Sequence, residues 1–357
     1  MAEPALDGLR VDLVLASSTG GVGRHVASLA AGLHRLGARV RVLGPAAAEE
    51  LFGFAAAGAA FDRVEIPSRP AMRDLTALIR LRRLLGTAEV VHAHGLRAGL
   101  LSSLALRTAG SGRPAFVVSW HNAVLRPAAP RRLAALGERY VARRPDLTLV
   151  ASEDLGGRVR SLGGSDVRLA PVAAPELPPA RRSAAEMRSE LGVGAGPLLL
   201  AVGRLHEQKG YDVLLDAACT WAARRPPPMV VIAGDGPLHG QLAATIARTG
   251  APVRLLGRRT DIADLLAAAD VVVLPSRWEA RSLSAQEALS AGRPLVATAV
   301  GGLPELLRGG AAVLVPGGDA AALAAAVTRL LDEPAERAAL AARGRQRAAA
   351  WPTEADT

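Results

Sequence analysis

From one end to the other the chain alternates between short aliphatic runs and segments whose apolar residues recur at helical spacing. Leu9–Leu15 is nearly all aliphatic, as expected of a strand buried on both faces of a sheet. It runs through Ser17-Ser-Thr-Gly20-Gly21-Val-Gly23 into an amphipathic stretch, Arg24–Leu36, and then a second strand, Arg39–Leu43. Strand, glycine loop, helix, strand is the opening of a parallel α/β sheet, because parallel neighbours need a crossover that a helix supplies. Further strands are predicted at Val64–Ile66, Glu89–His94, Ala115–Trp120, Leu147–Ala151 and Val167–Ala170, with helices over Arg73–Leu85, Leu96–Arg107 and Arg131–Arg143. Pro171, Pro175, Pro178 and Pro179 then interrupt the pattern, followed by a short charged helix, Ala184–Leu191, and a Gly-Pro turn. The alternation restarts at Leu198–Val202 and continues to a last helix over Pro334–Ala350. A chain of 357 residues built this way suits two domains. The expected class is α/β, with two Rossmann-like domains whose parallel sheets face each other across a cleft. The first domain covers 1–172, a Pro-rich linker 173–196, and the second domain 197–357.

Composition narrows the function classes. Aromatic residues are 3% of the chain, too few for the stacking platforms that single-stranded nucleic acid requires. One cysteine, Cys219, excludes a disulfide framework and suits a reducing, cytoplasmic compartment. The segment Met1–Asp7 lacks the basic flank and apolar run of a signal peptide, and no uncharged stretch approaches the roughly 18 residues of a membrane span. The net charge of +10 is uneven: residues 1–180 carry +8 and residues 181–357 carry +2. A basic first half is expected where an anionic surface or acidic substrate is met. Alternatively it reflects a chain that writes nearly every basic residue as arginine and leaves a solvated face.

That bias makes one residue stand out. Among 43 basic residues there is a single lysine, Lys209, in Gly203-Arg204-Leu205-His206-Glu207-Gln208-Lys209-Gly210. An ammonium is a compact charge that follows a phosphate, and a guanidinium is a planar fork. Arg204 and Lys209 are therefore read as jointly holding a diphosphate. Glu279 is placed in the loop after a strand, and Glu287, eight residues on, a turn into the next helix. Carboxylates recognise diols by accepting from two hydroxyls. Glu287 is read as gripping a ribose and Glu279 a hexose, with the diphosphate between them.

In open α/β sheets ligands sit beyond the carboxyl ends of the strands, where the glycine loop, His94 and His121-Asn122 all fall. Gly20, Gly21 and Gly23 let backbone N–H groups approach a ligand at a helix start. The third glycine of the dinucleotide fingerprint is missing, and no acidic residue ends the second strand, so a nicotinamide nucleotide is disfavoured. His121 reads either as a satisfied structural residue or as a contact to the reacting sugar. His92 and His94 share one strand face, but the sequence shows no matching third ligand, so no metal site is expected.

Taken together, Gly-Arg-Leu-x3-Lys-Gly, the turn Gly234-Asp235-Gly236-Pro237, Asp270-Val-x2-Leu-Pro-Ser and the Glu279-x7-Glu287 spacing resemble the retaining nucleotide-sugar glycosyltransferases of family 4, with the GT-B fold. Gly301-Gly302-x-Pro304-Glu305 and Val315-Pro316-Gly-Gly-Asp319 are similar to that family too. The resemblance implies a UDP- or GDP-type sugar donor in the second domain, an acceptor in the first, and no separate cofactor. It matches Arg204 and Lys209 to diphosphate ligands, Glu279 to the donor sugar, Glu287 to the ribose and His121 to the histidine beside the reaction centre. It also places Gly234 and the Arg281-Ser282-Leu283 segment at the donor, and it likens the Gly20–Gly23 loop to a mobile loop over the phosphates. Departures are Glu279-Ala280-Arg281 for Glu-Gly-Phe and Pro171-Val172-Ala173 for Pro-Asn-Gly. The chain also stops at Trp351–Thr357, short of the family's usual last helix, so a fragment is expected.

No Asp-x-Asp pair occurs, so metal-independent transfer is expected. The acceptor is expected to be lipid-linked or anionic, within a cell-envelope glycan. Arg131, Arg132, Arg139, Arg143 and Arg144 crowd one helical stretch that would meet lipid headgroups at the inner face of a membrane. Two other readings stay open: a nucleotide-sugar epimerase or sugar phosphorylase of the same fold, and a non-catalytic protein that binds anionic surfaces.

Overall fold

A computed structural model describes residues 6–352 apart from 19, 68, 108–111, 123–130, 175 and 195. The chain divides into two compact units, the first ending at Val172 and the second beginning at Ala173. Most of the Pro-rich segment, including Pro178 and Pro179 but not Pro175, which lies outside the described residues, thus belongs to the second unit. Ser183 and Glu186 cap its helix Ala184–Glu190 reciprocally. Asp264 accepts from the backbone N–H of Arg181 at 2.6 Å and of Arg182 at 3.2 Å, which ties the segment down.

The first unit holds a seven-stranded sheet: β1 (Arg10–Leu15), β2 (Arg39–Gly44), β3 (Ala60–Arg63), β4 (Val90–His94), β5 (Ala115–Trp120), β6 (Leu147–Val150) and β7 (Val167–Leu169). Every pairing is parallel, in the order β3-β2-β1-β4-β5-β6-β7. Leu13 and Val14 on β1 and Val91 on β4 are fully buried, as strands covered on both faces require. Asp12 interrupts this aliphatic run. Arg41 on β2 clamps it through both carboxylate oxygens, at 2.9 and 2.7 Å, so the buried charge is paired. The third strand lies upstream of the predicted Val64–Ile66, at Ala60–Arg63. Val64 and Ile66 are buried but lie past the ladder, so their pattern reports burial and not pairing. Helices Ala46–Phe52 and Glu153–Ser161 were not announced by the sequence pattern; the second contains Gly156-Gly157, which weakens helical propensity.

The second unit holds a six-stranded sheet: β8 (Leu198–Val202), β9 (Met229–Ala233), β10 (Val253–Gly257), β11 (Val271–Leu274), β12 (Leu295–Thr298) and β13 (Val313–Val315). Its order, β10-β9-β8-β11-β12-β13, is that of a doubly wound Rossmann sheet. Leu198, Leu199 and Leu200 are all fully buried, which makes β8 the central strand. In each unit the chain reverses its direction of winding beside the first strand, between β1 and β4 and between β8 and β11. A crevice opens at such a point beyond the carboxyl ends of the strands.

Candidate functional site

At the reversal point of the second unit, two loops are laced together. Arg277 N–H donates to the Gln208 carbonyl at 2.7 Å, and the Gln208 amide donates to the Trp278 carbonyl at 3.0 Å. This brings the segment after β8 against the segment after β11. Gly210 takes φ +63° and starts the helix Tyr211–Trp221 so close to the neighbouring loop that a Cβ there would lie 2.1 Å from the Pro275 carbonyl. Only glycine meets both conditions.

The lacing sets Lys209 Nζ 2.6 Å from Glu279 Oε1, and the Ser276 hydroxyl donates to the same oxygen at 2.7 Å. Glu279 is 6% exposed. Burial, and next the charge of Glu279, push the Tyr211 phenol above its ordinary range, so it stays a neutral donor to the Gly203 carbonyl at 3.0 Å. Arg204 lies on the same loop, exposed, and no carboxylate of the described residues pairs with it. The loop passes the Gly-Asp-Gly-Pro turn closely: a Cβ on Gly234 would sit 1.9 Å from the Gly203 carbonyl, and the Leu205 N–H donates to the Asp235 carbonyl at 2.9 Å. The structure thus brings Arg204, Lys209, Gly234 and Glu279 into one neighbourhood.

The remaining residues expected at the donor do different things locally. Ser282 is buried and its hydroxyl caps the helix Leu283–Ser290, accepting from the Ala285 N–H at 3.3 Å. Leu283 is half-buried at the first position of that helix, and Glu287 is buried in its second turn. The Arg281 guanidinium lies 5.8 Å over the Trp351 ring, 70 residues further along the chain.

In the first unit, Gly20 precedes the helix Gly21–Arg35 with open space around it. Gly23 has a packing role: a Cβ there would lie 2.0 Å from the Phe52 ring. His94 ends β4 and His121 follows β5, with His94 Nδ1 and His121 Nε2 sharing a hydrogen bond at 3.2 Å. His25, from the helix after the glycine loop, places its ring centroid 5.8 Å from that of His94 and 5.3 Å from that of His121. His92 bonds the Ser119 hydroxyl at 2.7 Å and packs on His94. Burial holds all four imidazoles neutral: His25 falls to about 4, His92 to about 3, and His94 and His121 well below the usual range. His94 and His121 were legible as strand ends. His25 was missed, because only the register of a helix not yet built brings it to them.

Comparison with known proteins agrees with this architecture. Residues 20–175 match the family described as glycosyl transferase 4-like domain, and residues 196–333 match glycosyl transferases group 1. The alpha-D-kanosaminyltransferase of Streptomyces kanamyceticus is 30% identical over 280 residues, which are 73% of this chain and 72% of that protein. The D-inositol 3-phosphate glycosyltransferase of Mycobacterium tuberculosis is 34% identical over 217 residues, but the match spans 44% of its length. Among solved structures, Anabaena Alr3699/HepE in complex with UDP and glucose superposes with a TM-score of 0.80 at 21% identity, covering 96% of this chain and 95% of that one. WaaG, a glycosyltransferase involved in lipopolysaccharide biosynthesis, gives 0.74 at 18%, covering 97% of each chain. Two Rossmann-like units of this kind define the GT-B class. The chain belongs to the family-4 type of GT-B glycosyltransferases.

Proposed function

We propose that the chain transfers a hexose from a UDP- or GDP-type sugar to an acceptor, with retention of anomeric configuration and without a metal ion at the diphosphate. The observation that carries this reading is the Lys209 ammonium, held 2.6 Å from a buried carboxylate at the reversal point of the second sheet. As the glycosidic bond breaks, negative charge grows on the departing diphosphate. A cation already fixed in place stabilises that state more than the ground state. Lys209 supplies the point charge and Arg204, on the same loop, the fork. Glu279 serves the donor sugar and also orients Lys209. Glu287 serves the ribose, and Gly234 with the Arg281–Leu283 segment borders the donor. The roles of His121 and of Gly20, Gly21 and Gly23 rest on the family resemblance alone. UDP-glucose or UDP complexes of structural neighbours favour a UDP-type donor.

A charge-assisted hydrogen bond contributes about 1.5–3 kcal/mol, so Lys209→Ala is expected to lower turnover roughly 10–100-fold. A thermal-shift screen against UDP, GDP, ADP and their sugars identifies the nucleotide first, because binding to the folded state raises its apparent stability. Turnover of a folded Lys209→Ala variant equal to wild type would overturn the assignment. Reaction of the donor with phosphate, or its epimerisation without acceptor, would favour the phosphorylase or epimerase reading.

A second element of the proposal is peripheral contact of the first unit with an anionic membrane, bearing a lipid-linked or anionic acceptor. Helices Arg73–Leu84 and Arg131–Ala142 both pack beside the helix Gly95–Leu106. Met72, Leu75 and Ile79 form an exposed stripe along the first, and Leu133 and Leu136 are exposed on the second. Arg73, Arg80, Arg83, Arg132, Arg139 and Arg144 are exposed among them. Exposed apolar side chains mixed with arginine suit the headgroup boundary. Arg143 instead donates to the Leu162 carbonyl at 2.9 Å, and the Arg131 side chain lies outside the described residues. Among the described residues no helix is long and apolar enough to cross a membrane.

A further inference from the structure

We propose that His25, His94 and His121 form a site for one borderline transition-metal ion, Zn2+ or Co2+, in the first unit. The three rings come from the helix after the glycine loop, from the end of β4 and from the residue after β5. One nitrogen from each lies within 4.8 Å of the others. The His94 Nδ1 to His121 Nε2 separation of 3.2 Å is close to the spacing of about 3.3 Å that two nitrogens adopt on one tetrahedral zinc at 2.0–2.1 Å. His25, half-buried and early in its helix, is the ring that would have to move inward, since the pair it joins already stands at that spacing.

A second observation separates this group from ordinary core histidines. His94 Nε2, the ring nitrogen not turned toward His121, is buried with no hydrogen-bond partner, so this imidazole is held through Nδ1 alone and not by the two bonds that usually fix a structural one. Among the described residues, the potential metal ligands that converge here are all imidazoles. Three neutral nitrogens suit Zn2+ or Co2+ and leave a fourth position for water, whereas Mg2+ and Ca2+ seek oxygen. The site would join three separate elements of the first unit, so occupancy would stabilise that unit. It makes no use of Lys209 or Glu279 but shares His121 with the proposed reaction centre, so a metal ion and a sugar would compete for that ring.

The test uses the full chain, stripped with chelator and titrated with CoCl2 and ZnCl2. One equivalent of Co2+ should bind in the micromolar range with the intense visible bands of a tetrahedral site. Saturating Zn2+ should raise Tm by roughly 2–8 °C. His25→Asn and His121→Asn should each weaken binding by at least about tenfold, since each removes one of three ligands. A His34→Asn, His206→Asn, His239→Asn variant removes exposed imidazoles and should bind like wild type. If His25→Asn folds poorly, His25→Gln serves in its place. Absence of saturable binding, or Co2+ spectra unchanged in both the His25 and His121 variants, would overturn the proposal.

Discussion

Lys209 and Glu279 were legible because short motifs carry them, and the fold brings them together through loops those motifs encode. Arg281 and Gly23 show the opposite case. One lies over a tryptophan 70 residues away and the other lies under Phe52, contacts that no local spacing announces. The histidines of the first unit carry a pH consequence of their own. In the unfolded chain an imidazole takes up a proton near pH 6.5, whereas His25 does so near 4 and His92 near 3 when folded. Below about pH 6.5 the unfolded chain therefore binds more protons, and stability falls as pH falls; above that value this contribution is complete. For His25 alone the loss is on the order of 2 kcal/mol by pH 5. Urea midpoints measured with chelator from pH 7.5 to 4.5 should decline, and less steeply in His25→Asn. A flat profile would contradict the burial argument.

At the scale of elements, continuous aliphatic runs located the strands well: β5, β8, β9 and β11 begin and end where their apolar segments do. The reading failed where burial and pairing part company, at Val64 and Ile66, and where a polar residue sits inside a strand. Asp12 is tolerated on β1 because Arg41 reaches it from the next strand, and that partner is 29 residues away. Two glycines at helix starts make the contrast testable. Gly210→Ala forces an alanine to φ +63° against the Pro275 carbonyl and should cost more than about 1 kcal/mol in denaturant unfolding. Gly20→Ala meets open space and should change stability by no more than about 0.5 kcal/mol. A loss of turnover in Gly20→Ala at unchanged stability would then mark a position where backbone must approach a ligand. Full turnover would remove Gly20 from the donor set.

On the scale of the whole molecule, the order of alternating elements was enough to anticipate two parallel-sheet units, because parallel strands leave few other connections. Which surfaces face a partner was less visible. The sequence drew attention to arginines on one helix, whereas the structure adds Met72, Leu75 and Ile79 from another. Binding to vesicles containing anionic lipid should therefore weaken with added salt, and further in a Leu133→Ser, Leu136→Ser, Ile79→Ser variant. Co-sedimentation equal to wild type would refute the contact. The solitary lysine has one more consequence. Because Lys209 bears the only ε-amine in the chain, amine-selective acylation has one side-chain target, and that target sits 2.6 Å from a buried carboxylate. The mass gained by the peptide that carries Lys209, scored apart from the α-amine, thus becomes a gauge of how crowded that loop is, without any label being engineered in.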